Sequence, residues 1–185
     1  MMIEQKTFEH IDGWQLSTEE EYYNCVFIDC DFSEQTMVRT IFDQCTFRSC
    51  NFTMARLTGN FSDVLFIGCK MIGADFTKIS AMSNGFVFEE CCLDYANFLA
   101  LKLWKTQFRS CKIMEANFDE ADLTSAVFDD CNLERTSFVH TNLTKADFTT
   151  AYHYTLHPDH CRLKKTKFSE QGLRGLVEHL DILVE

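Results

Sequence analysis

A large apolar residue recurs at every fifth position of this chain, and that spacing constrains the fold more tightly than any other feature. The series begins Phe27, Phe32, Met37, Phe42, Phe47, Phe52, Leu57. It resumes one residue early at Phe61, Phe66, Met71 and Phe76, then two residues late at Phe88, and from there runs in unbroken steps of five to Phe148. After an irregular stretch, Leu163 and Phe168 return to register. A step of five matches neither the 3.6-residue turn of a helix nor the two-residue alternation of a strand, so the backbone must turn a corner at every repeat. Four corners close a square, which predicts a second period of twenty. Phe88, Phe108, Phe128, Phe148 and Phe168 form one such column, and Leu103, Leu123, Leu143 and Leu163 form another. Leu93, Ile113 and Leu133 make a third, and Phe98, Phe118 and Phe138 a fourth. Rungs stacked at the ~4.8 Å separation of neighbouring strands would fill a narrow square interior.

The position two before each centre is mostly small, and nine of the ten cysteines occupy it, leaving only Cys92 out of phase. Cysteine is therefore used as a small hydrophobe, and in a reducing compartment such interior thiols are expected to stay reduced. The 185 residues hold one proline and seven glycines. That is too little turn chemistry for a barrel or sandwich of hairpins, and it fits a chain whose corners are built by repetition.

Segments such as Ala116-Asn117-Phe118-Asp119-Glu120, Ala121-Asp122-Leu123-Thr124-Ser125 and Ala146-Asp147-Phe148 resemble the A-[DN]-[LF]-x-x unit of pentapeptide-repeat proteins. The resemblance implies an all-β solenoid, a right-handed quadrilateral β-helix, over about residues 25–168. Within it we place a register slip near 58–60, a two-residue insertion inside 77–87 and an irregular coil over 149–162. Residues 1–24 lack the repeat and are expected to cap the first coil, with Asp12, Glu19, Glu20 and Glu21 shielding the strand edges. At the other end, Ser169 reads as an N-cap, and Leu173, Leu176, Val177 and Leu180 recur at helical spacing. These predict a short helix over 170–179 that covers the last coil, followed by an extended tail to residue 185.

The run from Ala151-Tyr152-His153-Tyr154 to Lys164-Lys165-Thr166-Lys167-Phe168-Ser169, with Gly172-Leu173 and Gly175-Leu176 after it, is similar to the Qnr-type and microcin-immunity branch of that family. That branch implies an acidic rod that dimerises through its C-terminal helix, here through the apolar face of Leu173, Leu176, Val177 and Leu180, which is more than one small end can hide. It also implies binding to bacterial DNA gyrase or topoisomerase IV as a mimic of DNA, protecting the enzyme from poisons such as quinolones or microcins. The long projecting loops of Qnr proteins have no counterpart here.

Charge points the same way. The chain carries 17 Lys and Arg against 28 Asp and Glu, a net −11, which disfavours a direct nucleic-acid ligand and favours a basic protein partner. One twenty-residue coil, Glu115 to Glu134, holds Glu115, Asp119, Glu120, Asp122, Asp129, Asp130 and Glu134 with no base before Arg135. With Glu89, Glu90 and Asp94 on neighbouring rungs, these acids are the expected partner-binding stripe. An interaction scaffold for another partner is the alternative use of the same rod. Enzyme chemistry is not expected, because a core of stacked Phe and Leu leaves no pocket and no nucleophile sits with an oriented base. His153, His157, His160 and Cys161 are too loosely spaced to argue a zinc site, so neither metal nor cofactor is expected. No apolar run is long enough to span a membrane and Met1-Met2-Ile3-Glu4 does not open a signal peptide, so a cytoplasmic homodimer is expected.

Overall fold

The computed structural model describes residues 2–16, 20–38, 40–180 and 182. The chain winds as a quadrilateral β-solenoid of about eight turns, and every strand pairing in it is parallel. Face A is a nine-stranded sheet running from Thr7–Glu9 to Lys167–Phe168. Its inward column reads Phe8, Phe27, Phe47, Phe66, Phe88, Phe108, Phe128, Phe148, Phe168. Face B follows through single bridges from Asp12 and Asp31 to Asn132 and Tyr152. Face C pairs Thr36–Met37 with Arg56–Leu57 and continues through Asp75, Asn97, Asn117 and Ser137. Face D starts as the four-stranded sheet Met2–Glu4, Glu21–Tyr23, Ile41–Asp43, Asn60–Ser62 and resumes at Lys102, Asp122, Asn142 and Arg162.

The period-five centres point inward and stack. Phe88 lies over Phe108 at 5.1 Å with planes 5° apart, and Phe98 over Phe118 at 4.6 Å with planes 3° apart. Neighbouring columns of one rung meet edge to face, as Phe118 and Phe128 do at 6.1 Å and 88°. Both arrangements suit the ring quadrupole. At the corners, more than twenty non-glycine residues adopt left-handed φ, among them Glu90, Ala100, Ser110 and Asp130. Each costs about 1–2 kcal/mol. The corner amide recovers part of this by donating to the next rung, as Glu90 N does to the Arg109 carbonyl at 2.9 Å.

Side chains at the small positions do more than fit. Over most of face B, and on the C-terminal rungs of faces C and D, a turn bond closes the corner, for example Ala96 N to the Leu93 carbonyl at 3.0 Å. After Phe88, Phe108 and Phe128 no such bond is made, and a thiol takes its place. Cys91 Sγ donates to the carbonyls of Phe66 at 3.4 Å and Glu89 at 3.3 Å, and Cys111 and Cys131 repeat the pattern one and two rungs later. All ten cysteines are free thiols. Burial pushes Cys45 up to about 12 and Cys161 up to about 11, while the neighbouring thiols of its column together with burial push Cys91 up. Cys45 and Cys161 therefore keep the proton they donate to the Tyr22 and Phe138 carbonyls. Threonine is a similar donor at such positions, with Thr141 Oγ1 donating to the Phe118 carbonyl at 2.8 Å and Cys161 in the same place one rung later. Thr141→Val keeps the shape and removes the donor, and should cost about 1 kcal/mol and lower the melting temperature by ~2–4 °C. Calorimetry checks this, and an unchanged melt would mean the turn bond from Ala121 satisfies that carbonyl alone.

Two expectations about the ends are corrected. Residues 2–16 are not a separate cap: Ile3 pairs with Tyr22 and Phe8 with Phe27, so the solenoid begins at the second residue. The repeat is hidden there because these steps are nineteen residues, and because Gly13 stands where a third centre belongs. The Phe32 ring fills that space and leaves no room for a Cβ at Gly13. Glu19 and the tail residues Asp181, Leu183, Val184 and Glu185 lie outside the described residues. At the C-terminal end, the expected helix over 170–179 is a six-residue 3-10 helix, Gln171–Leu176. Its N-cap is Glu170 and not Ser169, which stands one residue earlier and accepts from Gly172 N through Oγ at 3.0 Å. Gly172 and Gly175 let this segment press onto the Tyr154 ring, leaving no room for a Cβ. The register slip and the insertion lie where the sequence places them: Phe42 pairs with Phe61 after nineteen residues and Phe66 with Phe88 after twenty-two.

Candidate functional site

Because five residues turn one corner, the acids of a single coil are distributed around the rod, not along it. Asp129 and Asp130 lie on face A with Glu89 and Glu90 two rungs away. Glu115 and Glu134 lie on face B with Asp94, Asp119 and Glu120 on face C, and Asp122 on face D. The expected stripe is therefore corrected to a ring. Seven of the ten residues nevertheless share the adjoining faces A and B.

Six of the ten accept hydrogen bonds within the rod. At exposed sites Glu115 accepts from Tyr95 Oη at 3.2 Å, Asp129 from Thr150 Oγ1 at 2.9 Å and Asp130 from Ser110 Oγ at 3.3 Å. Asp94, Asp119 and Asp122 accept theirs at more enclosed ones. Asp94 is buried, and its Oδ1 accepts from Met114 N at 2.9 Å. Asp119 Oδ1 accepts from Ser137 Oγ at 2.5 Å and Val139 N at 2.8 Å. Asp122 Oδ1 accepts from Thr124 Oγ1 at 2.6 Å and Asn142 Nδ2 at 3.1 Å. Burial by itself raises the Asp122 pKa, and hydrogen bonds from Thr124, Trp104 and Asn142 outweigh it, holding that carboxyl below the ordinary carboxylate value. These three side chains are parts of the scaffold. Glu89 faces Arg109 at 3.8 Å, and Glu115 and Glu134 face Arg135 at 3.6 and 4.0 Å, all at exposed sites where such pairs contribute little. Glu90, Glu120, Asp129 and Asp130 have no ion pair among the described residues.

The edge between faces A and B is the most acidic line on the molecule. Its left-handed corners carry Asp29, Glu90 and Asp130 and no Lys or Arg, and Glu170, the N-cap of the 3-10 helix, takes the equivalent place after the last rung. Asp29 and Glu170 were not among the expected site residues. They become visible in the sequence when the residue two after every face A centre is aligned, which is a signal residue order conceals. Faces A and B together present roughly half of the chain's 28 acids and about a third of its 17 bases, so most of the net charge lies on two adjoining sides.

The expected dimer residues divide. Leu176 packs against the core and Val177 is half-buried, whereas Leu173 and Leu180 are exposed at 49% and 47%. An open groove of about 1090 Å³ runs between this segment and the 149–155 stretch, lined by Tyr152, Tyr154, Arg174 and Leu180 among others. His153, His157 and His160 do not converge with Cys161, and no group of three metal-ligating side chains forms among the described residues. No helix among them is long and apolar enough to cross a membrane.

Comparison with known proteins agrees with this architecture. A profile described as a pentapeptide repeat region matches residues 101–176, and a profile of eight pentapeptide repeats matches residues 25–59. No curated protein matches at the sequence level. Among solved structures, a trypsin-treated form of QnrB1, a plasmid-mediated fluoroquinolone resistance protein, superposes with a TM-score of 0.76 at 21% identity, covering 100% of this chain and 92% of that one. A second trypsin-treated form gives 0.66 at 21% identity, covering 98% and 100%. Full-length QnrB1 gives 0.56 at 20% identity, again covering 98% and 100%. No catalytic family is indicated. Since the two repeat profiles together span more than half the chain and the pairing register repeats at close to twenty residues from Ile3 to Phe168, the chain belongs to the pentapeptide-repeat family.

Proposed function

We propose that this protein is a non-enzymatic rod whose acidic edge docks on the basic DNA-binding surface of a bacterial type II topoisomerase, DNA gyrase or topoisomerase IV, and protects it from a poison. The observation that carries the reading is the edge of Asp29, Glu90, Asp130 and Glu170, with Glu89 and Asp129 beside it on face A and Glu134 on face B. The fold likeness to a fluoroquinolone resistance protein supports it. Eight rungs of ~4.8 Å give a rod of roughly 38 Å. B-DNA of that length carries about 22 charges, twice the chain's net −11. Bulk charge alone is a weak imitation, and concentrating it on two faces brings the local density closer to that of a duplex.

The test is a supercoiling assay with purified gyrase and a fluoroquinolone. The expected result is restored supercoiling at low micromolar protein and inhibition of the uninhibited enzyme at tens of micromolar. No effect of either kind would overturn the reading and leave the scaffold for a different basic partner, which the same acidic edge would serve.

A further inference from the structure

Face D is complementary to itself. Its N-terminal rungs present Glu4, Glu21, Asp43 and Asp63 and no Lys or Arg. Its C-terminal rungs present Lys102, Lys105, Lys145, Arg162, Lys164 and Lys165. The one acid among them, Asp122, already accepts from Thr124 and Asn142. None of these four acids or six bases is in an ion pair among the described residues. Halfway along the face, between the two charge blocks, Met82 is 73% exposed, and on the first basic rung Trp104 is 55% exposed with Lys102 Nζ 5.7 Å from its ring.

We propose that a second copy of this chain docks face D to face D, antiparallel, about a two-fold axis through the Met82 rung. That operation brings the rung of Glu4 against Arg162, Lys164 and Lys165, the rung of Glu21 against Lys145, and the rung of Asp63 against Lys102 and Lys105, while the rung of Asp43 meets Asp122, whose carboxylate is already hydrogen-bonded within its own rod. Met82 meets its own copy at the axis, with Trp104 beside it. Opposite charges meet at both ends and apolar side chains meet at the centre, the pattern of an isologous contact. A parallel arrangement would set like charge on like. A polyanion such as duplex DNA could follow only the basic half, about 19 Å or four rungs, before meeting acids. The surface is sufficient: a quarter of the chain's 10007 Å² is roughly 2500 Å² per face, against the ~800 Å² per partner that a stable complex buries. The alternative contact through the C-terminal end has less to offer, because Leu176 is turned into the core. Face D lies opposite face B, so this dimer leaves both acidic edges outward.

Sedimentation velocity of the full chain at about 50 µM in low salt should give twice the 21.5 kDa chain mass, with the association weakened at least tenfold in 0.5 M salt. Lys145→Glu with Lys164→Glu and Lys165→Glu should yield a folded monomer, and so should Glu4→Lys with Glu21→Lys, each keeping the parent circular dichroism. Mixing the two variants should restore a dimer, which general destabilisation could not do. A parent that stays monomeric at low salt overturns the proposal. So does a dimer that survives both charge reversals but is lost on Leu173→Glu with Leu180→Glu, or a monomer that instead shifts a DNA duplex through the same lysines. None of these readouts involves topoisomerase, so the proposal stands or falls apart from the docking function.

Discussion

Phe128→Ala lowers the melting temperature by roughly 6–20 °C, the largest stability loss expected of any single truncation. The ring is fully buried and stacks on Phe108 at 4.8 Å and Phe148 at 4.7 Å, with Phe118 and Phe138 meeting it edge-on at 6.1 and 6.2 Å. Removing a buried phenylalanine costs about 3–5 kcal/mol, and each kcal/mol moves the melt of a domain this size by ~2–4 °C. The upper end is expected here. The rungs are held apart by backbone bonds such as Ser110 N to the Asp129 carbonyl at 2.8 Å, so the walls cannot close on the void. The cavity also weakens the contact on both sides of its rung, and in a solenoid those nearest-neighbour contacts make up most of the stability. Glu120→Ala, on an exposed corner, should cost under ~0.5 kcal/mol. Equal melting shifts for the two would mean that Phe128 does not sit in a closed column.

The second large effect concerns the acidic edge. Reversing Glu90, Asp129 and Asp130 to lysine should raise the concentration needed to protect gyrase by about 100-fold. Each reversal replaces an attraction to the basic partner with a repulsion, on the order of 1 kcal/mol apiece, and 1.4 kcal/mol is tenfold. All three side chains are exposed and outside the core, so the circular dichroism should not change. Glu120→Lys on face C is the matched control, with an expected change under about threefold. If the control loses as much protection as the triple variant, the partner reads net charge and the edge is not the docking surface.

The repeat itself was legible in residue order. Whether Phe118 points inward and Glu120 outward is a local matter, decided by where each lies in a five-residue unit, and the slip after Leu57 and the insertion before Phe88 show as breaks in that count. The use of Cys91 and Thr141 as donors to buried carbonyls was not legible, since small size and donor capacity predict the same positions. Which side of the rod an outward residue faces is a different kind of quantity, because it depends on the turns accumulated since the start of the chain. A twenty-residue run of acids therefore looked like a stripe and is a ring, while Asp29, Glu90, Asp130 and Glu170, forty to sixty residues apart, form one edge. The first coil stayed hidden because Gly13 borrows the Phe32 ring of the next rung to fill its place. At the C-terminal end, helical spacing put Leu173, Leu176, Val177 and Leu180 on one face. Close packing of Gly172 and Gly175 on Tyr154 winds the segment more tightly and turns Leu176 inward and Leu173 outward. The period of five determined what is core and what is surface. Only the stacking of the coils decided which surface residues stand together, because that requires residues distant in sequence to share a rung.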